Sequence, residues 1–296
     1  MEKNIASTER GVHRFSTDVI ITHATNSIKD FEAFCHAMDF PVPQLTPNRL
    51  VRFSRPGRTD ASCYAILFPS GDGLVKDFRE GRKFVFHATA GERTQAEIQR
   101  FAEMQEAMKK KLRAQHEECA HLASDFWNSC EDASTNHPYL VRKCVGAYGI
   151  RQDYFGNLVI PLCDMTGKIW SIQKIYPNGK KSLLKGARKQ GCFYKIGTGE
   201  PKFLAEGYAT SFSVFQATNK ACVMAVDAYN LRHVAPLFPN CCIVADNDAS
   251  GVGEQEARKA QSISGNKVVV IPVINMDAND FLTAGYDLAG LLREVL

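Results

Sequence analysis

From residue 200 onward, short apolar runs alternate with helix-like stretches: KFLAEG, ATSFSVFQAT, ACVMAVDA, LRHVAPLF, CCIVADND, EQEARKAQSI and KVVVIPV. Read as strand, helix, strand, helix, strand, helix, strand, this order admits few folds. Strands separated by helices pair in parallel, and the helices cover the faces of the sheet. Functional groups on such sheets collect at the carboxyl ends of the strands. Those ends are acidic here: Glu206 follows KFLA, Asp227 ends the second strand, Asp246 and Asp248 follow CCIVA, and Asp277 and Asp280 lie beyond VVVIPV.

Crowded carboxylates repel one another and resist burial. A cation offsets that cost, and Mg²⁺ suits the task because it takes a few carboxylates, keeps some waters and leaves room for phosphate oxygens. Asp246 and Asp248, two residues apart at a strand end, are expected to point the same way and to serve one or two ions. Any single acid in such a place also reads as a helix N-cap or first-turn residue. For Asp227 the cap is the better reading. For the Asp-x-Asp pair followed by Gly251 and Gly253, with Glu206 on a neighbouring strand, metal is.

The 296 residues suffice for two ordinary domains or one large one. No apolar run is long enough to span a bilayer and Met1–Ser16 is polar, so neither a signal peptide nor a membrane anchor is expected, and a cytoplasmic protein is. The ten cysteines form no Cys-x-x-Cys pair, which argues against zinc, and several sit within apolar strands as reduced core residues. Helical His116, Cys119 and His121 lack a fourth ligand. Trp127 and Trp170 read as core anchors. The net charge of +4 is mild, but Lys174, Lys180, Lys181, Lys185, Arg188, Lys189 and Lys195 follow one another with no intervening acid. That bias points to a polyanion, against the blander reading of a solvated basic hairpin.

The rest of the chain divides by pattern. Residues 1–26 lack periodicity and read as a flexible tail. Residues 27–92 read as a small α+β region: a helix with Ile28, Phe31, Cys35 and Met38 on one face, then the strands LVRFSR, SCYAILF, GLVKDF and KFVFHA in an antiparallel sheet. Its rings Phe53, Tyr64, Phe78, Phe84 and Phe86, interleaved with Arg52, Arg55, Arg79, Arg82 and Lys83, suggest a stacking platform for single-stranded DNA, although half of an alternating strand is ordinarily core. A long connecting helix spans 93–135, with Ile98, Phe101, Met104, Met108, Leu112, Cys119, Leu122 and Phe126 as its apolar face. DASTNHP closes it as a linker. Residues 136–198 form a β-rich basic subdomain, and 199–296 the parallel α/β domain.

The segments FLAEGYATS, AVDAYNL, IVADNDASGVG and MDANDFL together resemble a Toprim domain, with its glutamate after the first strand and its Asp-x-Asp after the third. Primases, topoisomerases, nucleases and recombination proteins share that signature. The EGYAT wording, with HPYLVRK and PLCDMTGKIWSIQKIYPNGKKSLLKGARKQGCFY upstream, resembles the Toprim primases of conjugative plasmids and satellite phages. The resemblance covers about 137–282. It implies Glu206, Asp246 and Asp248 as a catalytic and metal-binding triad, with Asp280 as a further acid. It also implies Mg²⁺ or Mn²⁺ as cofactor, single-stranded DNA as template and ribonucleoside triphosphates as substrates. The family's zinc module is not recognisable. No Gly-x4-Gly-Lys-Ser/Thr loop occurs, so unwinding falls to a partner such as a replicative helicase. The expected activity is synthesis of short RNA primers for plasmid, phage or mobile-element replication. The alternatives are a Toprim nuclease and a non-catalytic nucleic-acid-binding module.

Overall fold

The computed structural model describes residues 20–22, 27–68, 70–78, 82–87 and 95–295. The described chain forms three five-stranded sheets and divides into two compact units, Met1–Phe101 and Ala102–Leu296.

In the first unit, β1 (Ile20–Thr22), α1 (Ser27–Ala37), β2 (Val51–Phe53), β3 (Cys63–Leu67), β4 (Gly73–Asp77) and β5 (Lys83–His87) follow in order. The antiparallel set β2 to β5 matches the alternating pattern. Strand β1 is a correction: it falls in the stretch read as a tail, yet it pairs in parallel with β5. The remainder of that tail lies outside the described residues, as does Arg79 of the proposed platform. Phe53 and Phe86 are buried, and Phe84 packs beside them with Phe31, Phe34 and Phe40. Of the platform's rings, Tyr64 and Phe78 alone pair at the surface, with Arg52 and Lys76 against the Phe78 ring.

Helix α2 (Gln95–Ser129) leads into the second unit. Its buried face matches the expected one at Cys119 and Phe126 and differs elsewhere. Leu112 and Leu122 are exposed, whereas Cys119, Ala120 and Ala123 are buried, with Phe126 and Trp127 beside them. Small residues let the helix approach a sheet closely, and Val159 and Ile172 of that sheet fill the contact. The side chains of Ile98, Phe101, Met104 and Met108 lie outside the described residues.

That sheet contains β6 (Glu131–Asp132), β7 (Arg151–Gln152), β8 (Leu158–Cys163), β9 (Ile169–Ile175) and β10 (Lys181–Leu183), in the antiparallel order β10-β9-β8-β7-β6. The stretch DASTNHP is not a simple linker: Asp132 closes β6, and Pro138 opens α3 (Pro138–Lys143). Proline at the first helical turn loses no needed hydrogen bond. His137 caps this helix, its Nδ1 accepting from the Tyr139 N–H at 3.2 Å.

The third sheet holds β11 (Tyr194–Ile196), β12 (Phe203–Ala205), β13 (Cys222–Met224), β14 (Cys242–Ala245) and β15 (Lys267–Val270), in the order β11-β13-β12-β14-β15. All neighbours but β11 are parallel, as the alternating pattern predicts. Helices α5 (Ala228–Val234) and α6 (Val252–Ser264) pack on one face. Helices α4 (Tyr208–Thr218), α7 (Ala278–Thr283) and α8 (Leu288–Arg293) pack on the other. Burial on both faces explains the unbroken apolar runs. On β12, Phe203 and Ala205 join one cluster and Leu204 the other.

Asn230 of α5 ties the basic segment to this sheet. It is 1 % exposed. Its side-chain amide donates to Cys192 O at 2.9 Å and Ala225 O at 2.8 Å, and its Oδ1 accepts from the Gly191 N–H at 3.0 Å. Removing one partner of buried hydrogen bonds leaves the others desolvated, at about 1–3 kcal/mol for each orphaned group. Asn230→Ala is therefore expected to lower stability by at least about 3 kcal/mol in urea denaturation, and a loss below about 1 kcal/mol would show that these bonds are replaced by water.

Candidate active site

Glu206 and Asp246 meet at the carboxyl ends of adjacent strands. Ala205 of β12 pairs with Val244 of β14, so Glu206 lies level with Ala245, and Asp246 leaves the neighbouring strand, about 4.8 Å away, one residue further on. Each is half-buried. Burial first, then the nearby Glu206 charge, pushes the Asp246 carboxyl up to about 8. Burial likewise raises Glu206, opposed by the Lys181 ammonium and a hydrogen bond from the Ala228 N–H. Asp246 Oδ1 is buried with no hydrogen-bond partner. Two ionisable carboxyls and an orphaned oxygen in one place form a site suited to a cation.

Asp248 is built differently. Its carboxylate accepts from the Ser250 N–H at 2.8 Å, from Ser250 Oγ and from the Gly253 N–H at 3.1 Å. These bonds, the Ser250 hydroxyl first, hold its pKa below the usual carboxylate range. The glycines of the following turn have separate reasons. Gly251 adopts φ +66° at the N-cap of α6, a left-handed conformation costly for other residues. A Cβ on Gly253 would stand 2.7 Å from Asp246 O.

Asp248 is thus held by its own turn, and its charge still adds to the rise at both Glu206 and Asp246. Among the described residues, no three His, Cys, Asp or Glu side chains gather closely enough to hold a metal ion. Glu206 and Asp246 remain as a pair that could hold one. Magnesium is commonly bound through one or two carboxylates, with waters and substrate phosphates completing its shell, so the donor set fits it.

Asp280, expected as a further acid, bonds Lys143 Nζ at 2.8 Å. Asp277 caps α7 by accepting from the Asp280 N–H, and its charge, rather than that of Asp280, adds to the rise at Asp246. Asp227 caps α5, accepting from Asn230 N, as the cap reading has it. Sequence reasoning placed Asp277 beyond β15 with the other strand-end acids but assigned the site role to Asp280, whereas the charge of Asp277 is the one felt at Asp246.

The basic segment sorts into distinct roles. Lys181, on β10, bears on both Glu206 and Asp246, and its Nζ lies 3.3 Å from where a Gly207 Cβ would stand. Lys189 pairs with Asp227 at 2.5 Å. Lys174 pairs with buried Asp153 at 3.0 Å and covers the Phe126 ring. Arg188 stacks on Trp170 and donates to Gln190 O. Lys195 donates to Gly199 O. Lys180 and Lys185 are exposed and form no ion pair among the described residues.

No family model matches the chain. It is 31 % identical over 225 residues to a DNA primase TraC of Escherichia coli, covering 67 % of this chain and 21 % of that protein. A second DNA primase TraC of Escherichia coli is 32 % identical over 153 residues, 45 % of this chain and 11 % of that protein. The chain thus spans about a fifth or less of the curated relatives it matches, and the resemblance to a DNA primase read from its motifs agrees with theirs. A solved DnaG catalytic core aligns with a TM-score of 0.43 and 11 % identity, over 62 % of this chain and 80 % of that one.

The carboxylate pair makes stability depend on pH. Asp246 holds its proton to about pH 8 in the fold, against about pH 4 when unfolded. Between those values the unfolded chain binds fewer protons, so stability falls as pH rises. Melting temperature in chelator is expected to fall from about pH 4 to about pH 8. Asp246→Asn should flatten that fall, and Mg²⁺ should raise the melting temperature of the parent chain but not of the variant. Identical profiles for both chains would remove the pair as the cause.

Proposed function

We propose that this chain is the catalytic core of a DNA-dependent primase, joining ribonucleotides on a single-stranded DNA template with Mg²⁺. The observation that carries the reading is the Glu206–Asp246 pair at neighbouring parallel strand ends, with Asp246 Oδ1 unpartnered, in a chain similar over 225 residues to a protein named DNA primase. Residues 199–296 are then a Toprim-type domain, preceded by the basic β-rich subdomain, the long helix and the N-terminal α+β region.

In this reading Glu206 and Asp246 hold the metal, with the ionised Asp248 adding negative charge nearby. A bound magnesium ion would stabilise charge on the attacked α-phosphate and on departing pyrophosphate. The chain's own groups do the rest. If Asp246 alone anchors the metal, Glu206, whose affinity for a proton is raised by burial, is instead the group to accept the proton of the attacking 3′-hydroxyl. Lys181 brings an ammonium to the carboxylate pair, where triphosphate oxygens arrive. Lys180 and Lys185 supply unpaired charge for a sequence-independent, salt-sensitive hold on the template backbone.

The test is incubation with single-stranded DNA, labelled ribonucleotides and Mg²⁺. Short new RNA is expected. Shortened template would mark a nuclease instead, and DNA retardation without product a binding module. Glu206→Gln and Asp246→Asn should each lower primer yield by at least about a hundredfold, as loss of several kcal/mol of charge stabilisation requires. Asp248→Asn is the sharper probe, because it removes the charge and keeps one of the two oxygens that accept from Ser250 and Gly253. A fold of unchanged stability with lost activity would show that the Asp248 charge, not its hydrogen bonding, serves the reaction.

A further inference from the structure

The turn between β7 and β8 displays two aromatic rings to solvent. Tyr154 is 99 % exposed and Phe155 81 %, and the rings meet edge to face at 5.6 Å. Apolar rings are seldom left outside in adjacent pairs without a use. Nor is the turn loose. The buried Asp153 carboxylate accepts from the Phe155 and Asn157 N–H groups at 3.0 and 2.9 Å, from the Asn157 amide, and from Lys174 Nζ at 3.0 Å. Gly156 turns the chain at φ +79°, and its carbonyl accepts from His137 Nε2 at 2.9 Å. The rings stand on a fixed post.

The post belongs to the same end of its sheet as the carboxylate site. Gln152, Leu158, Ile175 and Lys181 lie side by side across β7, β8, β9 and β10. From Leu158, at the foot of the post, to Lys181 is two strand spacings, about 10 Å. Lys181 in turn bears on Glu206 and Asp246. The intervening edge carries the exposed cations Lys180 and Arg142, the latter donating to Pro177 O at 3.2 Å. From Ala133 to Gly199 the only acids are Asp153 and Asp164. Lys174 neutralises the first, and Trp170 and Thr166 hold the second.

We infer that Tyr154 and Phe155 form a stacking post for bases of a single nucleic-acid strand, a few nucleotides from the reacting end. The inference rests on the primase reading for the identity of the strand as template. The juxtaposition itself is independent of it: two exposed rings on a hydrogen-bonded turn, a cationic edge, then the carboxylates. Rings stack on any base, and a neighbouring positive edge tracks the phosphates. An acidic protein surface would find the same cations but would have no need of two rings held in fixed geometry.

The test measures binding of labelled oligothymidylate to the whole chain across a salt series. Removing both rings, Tyr154→Ala with Phe155→Ala, should weaken binding by roughly tenfold for each ring lost. It should leave the slope of log K against log salt unchanged, because no phosphate contact is removed. Lys180→Gln should instead make that slope shallower. Phe155→Trp should bind as the parent does, with the fluorescence of the introduced indole quenched on adding the oligonucleotide. Both rings are exposed, so the melting temperature should stay constant and exclude misfolding. If the double variant binds within about twofold of the parent, and the Phe155→Trp variant shows no quenching, the post is overturned. If the double variant instead loses only self-association in sedimentation, the rings are a protein-docking surface and the proposal also fails. If binding and quenching follow as stated but no RNA is made by the parent chain, the post stands and the primase reading falls.

Discussion

Opposite charges face each other across the junction between the antiparallel basic sheet and the parallel acidic one. Each acidic strand end of the second has a cation from the chain before it. Lys189 meets Asp227, Lys181 bears on Glu206 and Asp246, and Lys143 lies 2.8 Å from Asp280 and 4.0 Å from Asp277. The acids stand where parallel sheets gather functional groups, and unopposed they would repel one another. The lysines lower that repulsion and dock the two sheets, while Asn230 fixes the same junction with neutral hydrogen bonds. The compensation is unequal. Lys189 and Asp227 form a close pair, whereas Asp246 keeps an unpartnered oxygen, and that is where attraction for a further cation is greatest.

The two aspartates of the Asp-x-Asp pair divide their work through surroundings rather than residue type. Asp248 sits against the N–H groups that open α6 and stays ionised. Asp246 meets burial and Glu206 and resists ionisation until about pH 8. One is a fixed negative charge, and the other becomes fully negative at neutral pH only when a cation joins it. Gly253 makes the arrangement possible, since a side chain there would collide with the Asp246 carbonyl that the start of α6 approaches.

The parallel sheet was legible from its alternation, because burial on both faces leaves apolar runs of strand length between helices. Glu206 and Asp246 were legible as neighbours for the same reason: their places follow from strand order. The hydrogen bonds of Asp248 were not, because they come from Ser250 and Gly253 of the turn that follows, whose conformation the strand pattern does not encode. The buried face of α2 was read correctly at Cys119 and Phe126 but extended wrongly to Leu112 and Leu122, since periodicity registers size and apolarity, while close approach to a sheet also selects the small Ala120 and Ala123. Strand β1 carries three residues of pattern and depends on pairing with the distant β5, a contact that local sequence does not encode. The cations read as one binding stretch proved to be a mixture, because sequence shows charge and not its partner.

That mixture has a physical logic. A site for phosphoryl chemistry needs carboxylates to hold a metal and cations to receive phosphates. Both on one strand end would neutralise each other. Placing the acids on the parallel sheet and the lysines on a separate layer lets part of the charge be matched within the fold and part remain open. Lys174 and Lys189 are matched and serve structure. Lys180 and Lys185 remain unmatched among the described residues and face solvent. Lys181 is intermediate: its attraction tempers the rise at both Glu206 and Asp246, yet it forms no closed pair with either. Its ammonium is therefore free to turn toward an anion arriving at the carboxylate pair.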